Sequence, residues 1–157
     1  MERLLLGRLM AVLAFVLDHL ALLREAVSAE GGAVVKAMGD AIMAVFTRPA
    51  AALRAGFAAQ RAVAGRPLAL KVGIHTGPCI AITQNDALDY FGSTVNLAAR
   101  LVSLSTGADI AVSGDVLADP EVEQLGLRRE AVQATLKGFE ESFELWRVAG
   151  SDVPAAL

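Results

Sequence analysis

The chain has 157 residues, of which 55% are hydrophobic and 20% charged, which is enough apolar material for one sizeable core. A net charge of −3 without a Lys/Arg cluster argues against a nucleic-acid-binding surface, which is normally basic. A single cysteine excludes an internal disulfide and fits a reducing, cytoplasmic setting, so we expect one cytoplasmic domain over residues 1–157.

The N-terminal segment predicts a long helix. Its uninterrupted apolar run, Leu9–Leu17, lies between Arg8 and Asp18 and is shorter than the roughly 20 residues that cross a bilayer. A signal peptide is the alternative, but the amphipathic pattern continues to Val27. We therefore expect a helix packed on a sheet, with no membrane span, that ends at Gly31 in a left-handed cap.

A hairpin is predicted next, with strands over Ala33–Lys36 and Ala41–Phe46 joined by Gly39 and Asp40. Lys36 and Asp40 flank its tip, so an ammonium and a carboxylate project to one end of a sheet. The alternative reading of the same residues is a turn aspartate that bonds its own backbone beside a solvated lysine.

The middle of the chain alternates between helix and strand. Proline opens a predicted helix over Pro49–Ala64, and strands are predicted over Leu68–His75 and Cys79–Thr83 around a Thr-Gly-Pro turn. We expect Cys79 to be buried and unreactive, and His75 to be a hydrogen-bonded core histidine. Zinc is unsupported because no second His or Cys lies near them in the sequence.

A polar loop over Gln84–Leu88 is predicted to lead to Asp89, which we place in a loop before a helix. Asn96 and Arg100 lie four residues apart in that helix, so both side chains share one face, one turn apart. An amide can orient a sugar oxygen, and a guanidinium can hold phosphate oxygens. The alternative is a capping Asn, a solvated Arg and a turn Asp.

The C-terminal part predicts the remaining strands of the fold. A strand over Asp109–Val112 precedes a helical turn over Ser113–Ala118, and Arg128–Leu136 pairs with Phe143–Val148 as a closing antiparallel ribbon. Core packing is the expected role of Trp146.

Four segments, in this order along the chain, together resemble the class III nucleotidyl cyclases: KAMGDAIMAVF, VGIHTGPCIAI, DYFGSTVNLAARL and TLKGFEESFELWRV. The similarity runs from about Leu13 to Val148 and leaves residues 149–157 as a C-terminal tail. It implies an α+β fold of the ferredoxin-like βαββαβ type, with helices packed on a mostly antiparallel sheet.

The resemblance also implies an activity, the conversion of ATP to 3′,5′-cyclic AMP and pyrophosphate in intracellular signalling. Two divalent metal ions, Mg²⁺ or Mn²⁺, assist attack of the 3′-hydroxyl on the α-phosphorus. Asp40 matches a metal-binding aspartate of the family. Lys36 and Asp89 match the pair that reads the adenine edge, where the carbonyl of guanine would be repelled by the carboxylate.

The family implies roles for three more residues. Asn96 matches the residue that orients the ribose, Arg100 the one that stabilises charge on the transferring phosphate, and Lys137 the lysine that binds the triphosphate tail. Family sites form between two catalytic domains, so Asn96 and Arg100 would serve the nucleotide held by Lys36, Asp40 and Asp89 of a second domain. That implies a homodimer, or a heterodimer with another cyclase domain.

The chain departs from the family at its start. Family members open with an inner strand that carries the other metal aspartate, and counting back from Asp40 runs past Met1. Asp18 lies in a helical pattern, on a polar face at or near His19, and we do not assign it as a ligand. We expect a gap in the sheet, unpaired strand edges and impaired activity of this chain alone. The alternative is a non-catalytic cyclase-like module that binds a nucleotide or a partner domain.

Overall fold

The computed structural model describes residues 2–139 and 142–150, and side chains from Leu6 onward. The helices are α1 (Glu2–Ala29), α2 (Pro49–Val63), α3 (Ser93–Leu101), α4 (Gly114–Leu117) and α5 (Pro120–Glu123), with a 3₁₀ turn at Val102–Leu104. The strands are β1 (Ala33–Met38), β2 (Ala41–Val45), β3 (Val72–Ile74), β4 (Ile80–Gln84), β5 (Ala87–Phe91), β6 (Ile110–Ser113), β7 (Arg128–Val132) and β8 (Leu145–Ala149).

The strands form three separate sheets. The largest has the order β3-β6-β8-β7, and the other two are the hairpins β1-β2 and β4-β5. Only the β3–β6 pair is parallel among the described strands; the other four pairs are antiparallel. The predicted α+β class and the mostly antiparallel pairing are confirmed.

The main core lies between the four-stranded sheet and α2. Strand β6 is buried at every position because it has a neighbour on each side and a helix layer above it. Ile110, Val112 and Val148 from the sheet pack with Leu53 of α2. The predicted packing role of Trp146 is confirmed, since it lies against this cluster.

Helix α1 is anchored at only one end. Leu23 and Ala26 are buried against Ala59 and Val63 of α2, and the helix ends as predicted at Gly31, whose φ of +72° is left-handed. Residues 6–14 are exposed, so the expected packing of the helix on a sheet is only half right: the packed part lies against α2 and, in the sheet of the β1-β2 hairpin, against Ile42. By length and composition alone Leu6–Ala29 would also suit a membrane span, as many signal sequences and core helices do.

Two predictions about α1 side chains have different outcomes. Asp18 is exposed and forms an ion pair with Arg66, with 2.5 Å between Oδ2 and Nη1. His19, expected on or near the polar face, is instead buried and stacks on Phe15.

The segment between β3 and α3 differs most from prediction. Asp89 lies within β5 and not in a loop, because Asn85 and Asp86 take positive φ angles and form a two-residue turn that pairs β4 with β5. The two predicted strands around Thr-Gly-Pro do not pair with each other, since β3 pairs with β6. Cys79 is exposed, and its predicted burial is wrong, because it leads into a two-stranded hairpin with little packed against it.

The β1-β2 hairpin does not pair with the main sheet in the described part of the chain. Strands β1, β2 and β3 therefore each keep one edge without a described strand neighbour, as expected for the strand edges. The edges leave backbone donors and acceptors without ladder partners.

Candidate functional site

Helix α3 positions Asn96 and Arg100 as predicted. It begins after Gly92, whose φ of +127° is tolerated only by glycine, and its first turn closes when the Asn96 amide donates to the Gly92 carbonyl oxygen at 3.1 Å. Leu97 and Leu101 are buried on the inner face. Asn96 and Arg100 are therefore exposed on the outer face, one turn apart.

These two side chains line a cleft of about 1240 Å³. Its walls are α3, the loop 75–78 and the segment around Lys137. The structure thus brings Lys137 together with Asn96 and Arg100, which lie far away in the sequence. Among the described residues Asp115 is the one carboxylate on the lining, and the two cations there suit a ligand with several negative oxygens.

Close backbone contacts fix α3 against the rest of the cleft. The Thr94 hydroxyl donates to the Pro78 carbonyl oxygen at 2.5 Å, which joins the first turn of α3 to the loop. Gly73 of β3 lies so near the end of α3 that a Cβ atom there would be 2.6 Å from the amide nitrogen of Val102. Glycine at position 73 therefore sets the distance between sheet and helix.

His75 forms part of the cleft wall. Its Nδ1 lies 2.6 Å from the Ser113 hydroxyl oxygen, and its ring packs edge-on against Phe143. Burial lowers the pKa of His75, and nearby Asp115 opposes that change in part. The prediction of a hydrogen-bonded histidine is confirmed, although the residue is only half-buried. The cleft position of His75 was missed, because periodicity alone places it in a strand.

Lys36 and Asp89 form an ion pair between the two hairpins. The Lys36 ammonium donates to both carboxylate oxygens of Asp89, at 3.0 and 3.2 Å, and lies 5.9 Å from the centre of the Phe91 ring. A bulge in β1 between Val34 and Lys36 changes the register at this point. The structure therefore places together the two residues that the family resemblance paired.

The Asp89 carboxylate is held in its charged form. The hydrogen bond from Lys36 lowers the pKa of Asp89, and the bond from the Tyr90 amide, at 2.8 Å, lowers it further. Near neutral pH this position accepts hydrogen bonds and does not donate them.

Asp40 lies by itself at the β1-β2 turn. Its side chain is exposed, and Gly39 supplies the positive φ that the two-residue turn requires. Among residues 2–139 and 142–150, no three His, Cys, Asp or Glu side chains are grouped in a way that could hold a metal ion. The described residues of one chain therefore do not fit two divalent cations, which prefer several oxygen ligands each.

Comparison with known sequences gives one consistent result. A family model for the adenylate and guanylate cyclase catalytic domain matches residues 7–146. A protein of Mycobacterium tuberculosis, described only as uncharacterized, is 34% identical over 142 residues, covering 83% of this chain and 35% of the relative. Adenylate cyclase 1 of Rhizobium meliloti is 26% identical over 162 residues, covering 88% of this chain and 24% of the relative.

Comparison with solved structures agrees. The adenylyl cyclase CyaB of P. aeruginosa has a TM-score of 0.74 at 23% identity, covering 94% of this chain and 86% of that one. The adenylate/guanylate cyclase/hydrolase of Silicibacter pomeroyi has a TM-score of 0.70 at 26% identity, covering 96% and 88%. The chain matches most of these solved domains, but it spans about a third or less of the length of the curated relatives described above.

Proposed function

Because the chain belongs to the family of adenylate and guanylate cyclase catalytic domains, we propose that it binds ATP and contributes to a site that forms 3′,5′-cyclic AMP and pyrophosphate. The observation that carries this proposal is the Lys36–Asp89 pair together with a cleft that collects Asn96, Arg100 and Lys137. The product would serve as an intracellular messenger in the cytoplasm.

The ion pair is proposed to select the base. Lys36 donates to a ring nitrogen of adenine, and Asp89 accepts from the exocyclic amino group. The lowered pKa of Asp89 supports this role because a carboxylate that stays ionised cannot donate to the carbonyl of guanine. ATP is therefore the expected substrate and GTP the disfavoured one.

The cleft is proposed to hold the sugar and the phosphates. Asn96 orients the ribose so that its 3′-hydroxyl faces the α-phosphorus, and Lys137 holds the terminal phosphates. Arg100 stabilises the negative charge that builds on the transferring phosphoryl group. Both cations are exposed before binding, so the ligand must displace water from them.

The divalent ions of the family do not fit this chain by itself. Asp40 is the single residue matched to a metal-binding carboxylate of the family, and the described residues supply no cluster around it. We propose instead that the complete site is shared, with Asp40 and Arg100 coming from different domains of a homodimer or a heterodimer.

A second candidate function follows from the same observation. A domain with a base-reading pair and a phosphate cleft but one metal carboxylate is suited to bind a nucleotide and regulate a partner cyclase domain without turnover. Both candidates require ATP binding, and only the first requires cyclic AMP.

The test measures ATP and GTP binding by titration calorimetry and cyclic AMP by chromatography, with Mg²⁺ or Mn²⁺ added. Wild type is compared with Arg100→Ala and with the matched control Arg128→Ala, which lies on the far edge strand of the main sheet. Loss of an arginine that stabilises the transition state is expected to lower turnover by about 10²–10³-fold while ATP binding changes far less.

Three outcomes separate the candidates. Cyclic AMP formation that Arg100→Ala abolishes and Arg128→Ala leaves intact supports the enzyme. Metal-independent ATP binding without cyclic AMP supports the regulatory module. Absence of ATP binding in the folded wild type refutes both.

A further inference from the structure

The two ring nitrogens of His75 have different surroundings in the cleft wall. Nδ1 lies 2.6 Å from the hydroxyl oxygen of Ser113, and the ring packs edge-on against Phe143. Nε2 is the nitrogen next to Gly77, because a Cβ atom at position 77 would lie 3.5 Å from it. Gly77 is on the cleft lining and has no side chain to cover Nε2. One nitrogen is therefore held by the protein, and the other faces the cleft.

The hydroxyl of Ser113 determines which of the two nitrogens carries the proton. Ser113 is 1% exposed, and its side chain bonds none of the backbone amides at the start of α4. Among the described residues, the partner of this hydroxyl is His75 Nδ1. A buried hydroxyl hydrogen that finds no acceptor is strongly unfavourable, so the Ser113 hydroxyl donates its hydrogen to Nδ1.

This hydrogen bond fixes the tautomer of His75. A ring nitrogen that accepts a hydrogen bond carries no proton, so the proton of the neutral ring lies on Nε2. Burial lowers the pKa of His75 and so favours the neutral form, and Asp115 opposes this effect through its charge and not through a hydrogen bond. Near neutral pH, His75 therefore presents an N–H group at Nε2 to the cleft.

The described part of the chain leaves this N–H group free for a ligand. Nε2 has no hydrogen-bond partner there, and it is not one of the buried polar side-chain atoms that lack a partner, which are His19 Nδ1 and Arg147 Nε. It is therefore accessible from the cleft. The same lining carries the Arg100 guanidinium and the Lys137 ammonium, so a donor at this place suits a ligand with many oxygen acceptors.

We propose that His75 donates a hydrogen bond from Nε2 to a phosphate oxygen of the ligand, and that Ser113 is the positioning residue that holds the ring in this tautomer. The ligand class is a polyphosphate, either the triphosphate of ATP or free pyrophosphate. This inference rests on the proposed function, which places phosphates in the cleft. A neutral donor adds a directed bond without a third positive charge, so it orients the phosphates without binding pyrophosphate as strongly as another cation would.

The tautomer is tested by long-range proton–nitrogen correlation spectra of the full chain at about pH 7.5, where the neutral imidazole dominates. The chain has two histidines, so the signals of His75 are those that disappear in His75→Gln. Wild type should show an unprotonated Nδ1 and a protonated Nε2. Ser113→Ala should move the Nδ1 resonance toward that of a protonated nitrogen. A protonated Nδ1 in wild type, or an unchanged tautomer in folded Ser113→Ala, refutes the role of Ser113.

The contact with the ligand is tested by titration calorimetry with inorganic pyrophosphate and with ATP, with circular dichroism as the folding check. His75→Leu removes the donor and is expected to weaken binding of each probe that wild type binds by about tenfold. His75→Gln keeps an amide N–H group near the position of Nε2 and should restore most of that loss. Gln124→Leu is the matched control, because it makes a polar-to-apolar change at the exposed end of α5, outside the cleft, and should bind like wild type.

The outcomes separate this inference from the proposed function. Equal affinities of wild type and folded His75→Leu refute the inference and leave the proposed function standing, because ATP still binds. Absence of binding of both probes by the folded wild type refutes both. If His75→Gln binds as weakly as His75→Leu, the inference is also refuted, because a loss that a donor does not restore comes from the packing of the ring against Phe143.

Discussion

Replacing Gly73 by alanine tests how the cleft is built. An added Cβ would lie 2.6 Å from the Val102 nitrogen, 2.7 Å from the Ala98 carbonyl oxygen and 2.9 Å from the Leu101 carbonyl carbon. Ordinary contact begins at 3.4 Å, so relief of the shortest distance requires a movement of 3.4 − 2.6 = 0.8 Å. All three atoms belong to the backbone of α3 and the turn after it, so no side chain can rotate away.

The energetic cost follows from that overlap. Overpacking of a close contact destabilises the folded state by about 1–3 kcal/mol. Alanine also lowers the conformational entropy of the unfolded chain relative to glycine, which stabilises the folded state by about 0.4–1 kcal/mol. We expect a net loss of about 1.5 kcal/mol in the free energy of unfolding. At a urea dependence of about 1–3 kcal/mol/M, the midpoint should fall by roughly 0.5–1.5 M.

The same movement should reach the candidate site. Asn96 and Arg100 lie on the helix that must shift, and a displacement near 1 Å in a positioned group can reduce a rate by about 10²-fold. Under the proposed function, cyclic AMP formation should therefore fall far more than ATP affinity. The assay combines urea unfolding with titration calorimetry and product chromatography.

Gly7→Ala is the matched control, because its Cβ has open space and alanine favours a helix. It should leave the midpoint unchanged or raise it slightly. If Gly73→Ala has the same midpoint and the same m-value as wild type, the close approach of β3 and α3 does not exist as described, and the reasoning about the cleft fails.

Three other predictions concern the charged groups. Asp89→Asn should lower the ratio of ATP affinity to GTP affinity by about tenfold, because an amide can accept a hydrogen bond from adenine or donate one to guanine. The control Glu130→Gln weakens an ion pair with Arg147 at the far edge strand and should leave this ratio unchanged. Burial lowers the pKa of His75, so the folded state favours its neutral form. The contribution of this group to the free energy of unfolding is therefore fully present above the ordinary histidine pKa of about 6.5 and is lost as the pH falls below that value. His75→Gln should reduce the difference between the urea midpoints measured at about pH 7.5 and pH 5.5. An unchanged difference would exclude His75 as the source of the pH dependence. If the active site is shared, a mixture of Asp40→Ala and Arg100→Ala chains should regain cyclic AMP formation that neither has separately; inactive mixed dimers of an active wild type would contradict sharing.

Local patterns predicted the elements that depend on local chemistry. The two-residue turn at Gly39 and Asp40 was predicted because Gly-Asp flanked by β-branched runs specifies a hairpin, and α2 because proline opens an apolar helix. The exposed face of α3 was predicted from a spacing of four residues. Each of these depends on contacts within one turn or one hairpin, which the sequence order determines directly.

Long-range pairing was predicted less well. The neighbour of β3 was not predicted: the strand pairs with β6, which lies more than thirty residues later in the chain. This pairing is favoured because it buries β6 on both sides, and a short apolar run in the sequence does not show which strand will lie beside it. The predicted burial of Cys79 was wrong for the same reason, because the exposure of this residue depends on what packs over β4.

The association of Lys36 with Asp89 lies between these cases. The sequence supplied an ammonium and a carboxylate, and the family resemblance paired them, but no local rule places the two hairpins side by side. The bulge in β1 and the turn at Asn85 and Asp86 bring them together, and both are register effects that composition does not report.

The openness of the site is itself an argument for a second domain. Asn96, Arg100 and Lys137 are all exposed, and opposite charges interact weakly in water, so these groups stabilise a developing phosphate charge poorly while solvent surrounds them. The neighbouring β4-β5 hairpin also leaves Ile80 and Leu88 exposed, at 62% and 49%. A domain that covered this hairpin would bury apolar area and exclude water from the cleft in one step, and each of the three polar side chains would then act more strongly on the same nucleotide. Turnover in such a site should depend on protein concentration even when ATP is saturating, whereas binding of ATP to a single chain should not.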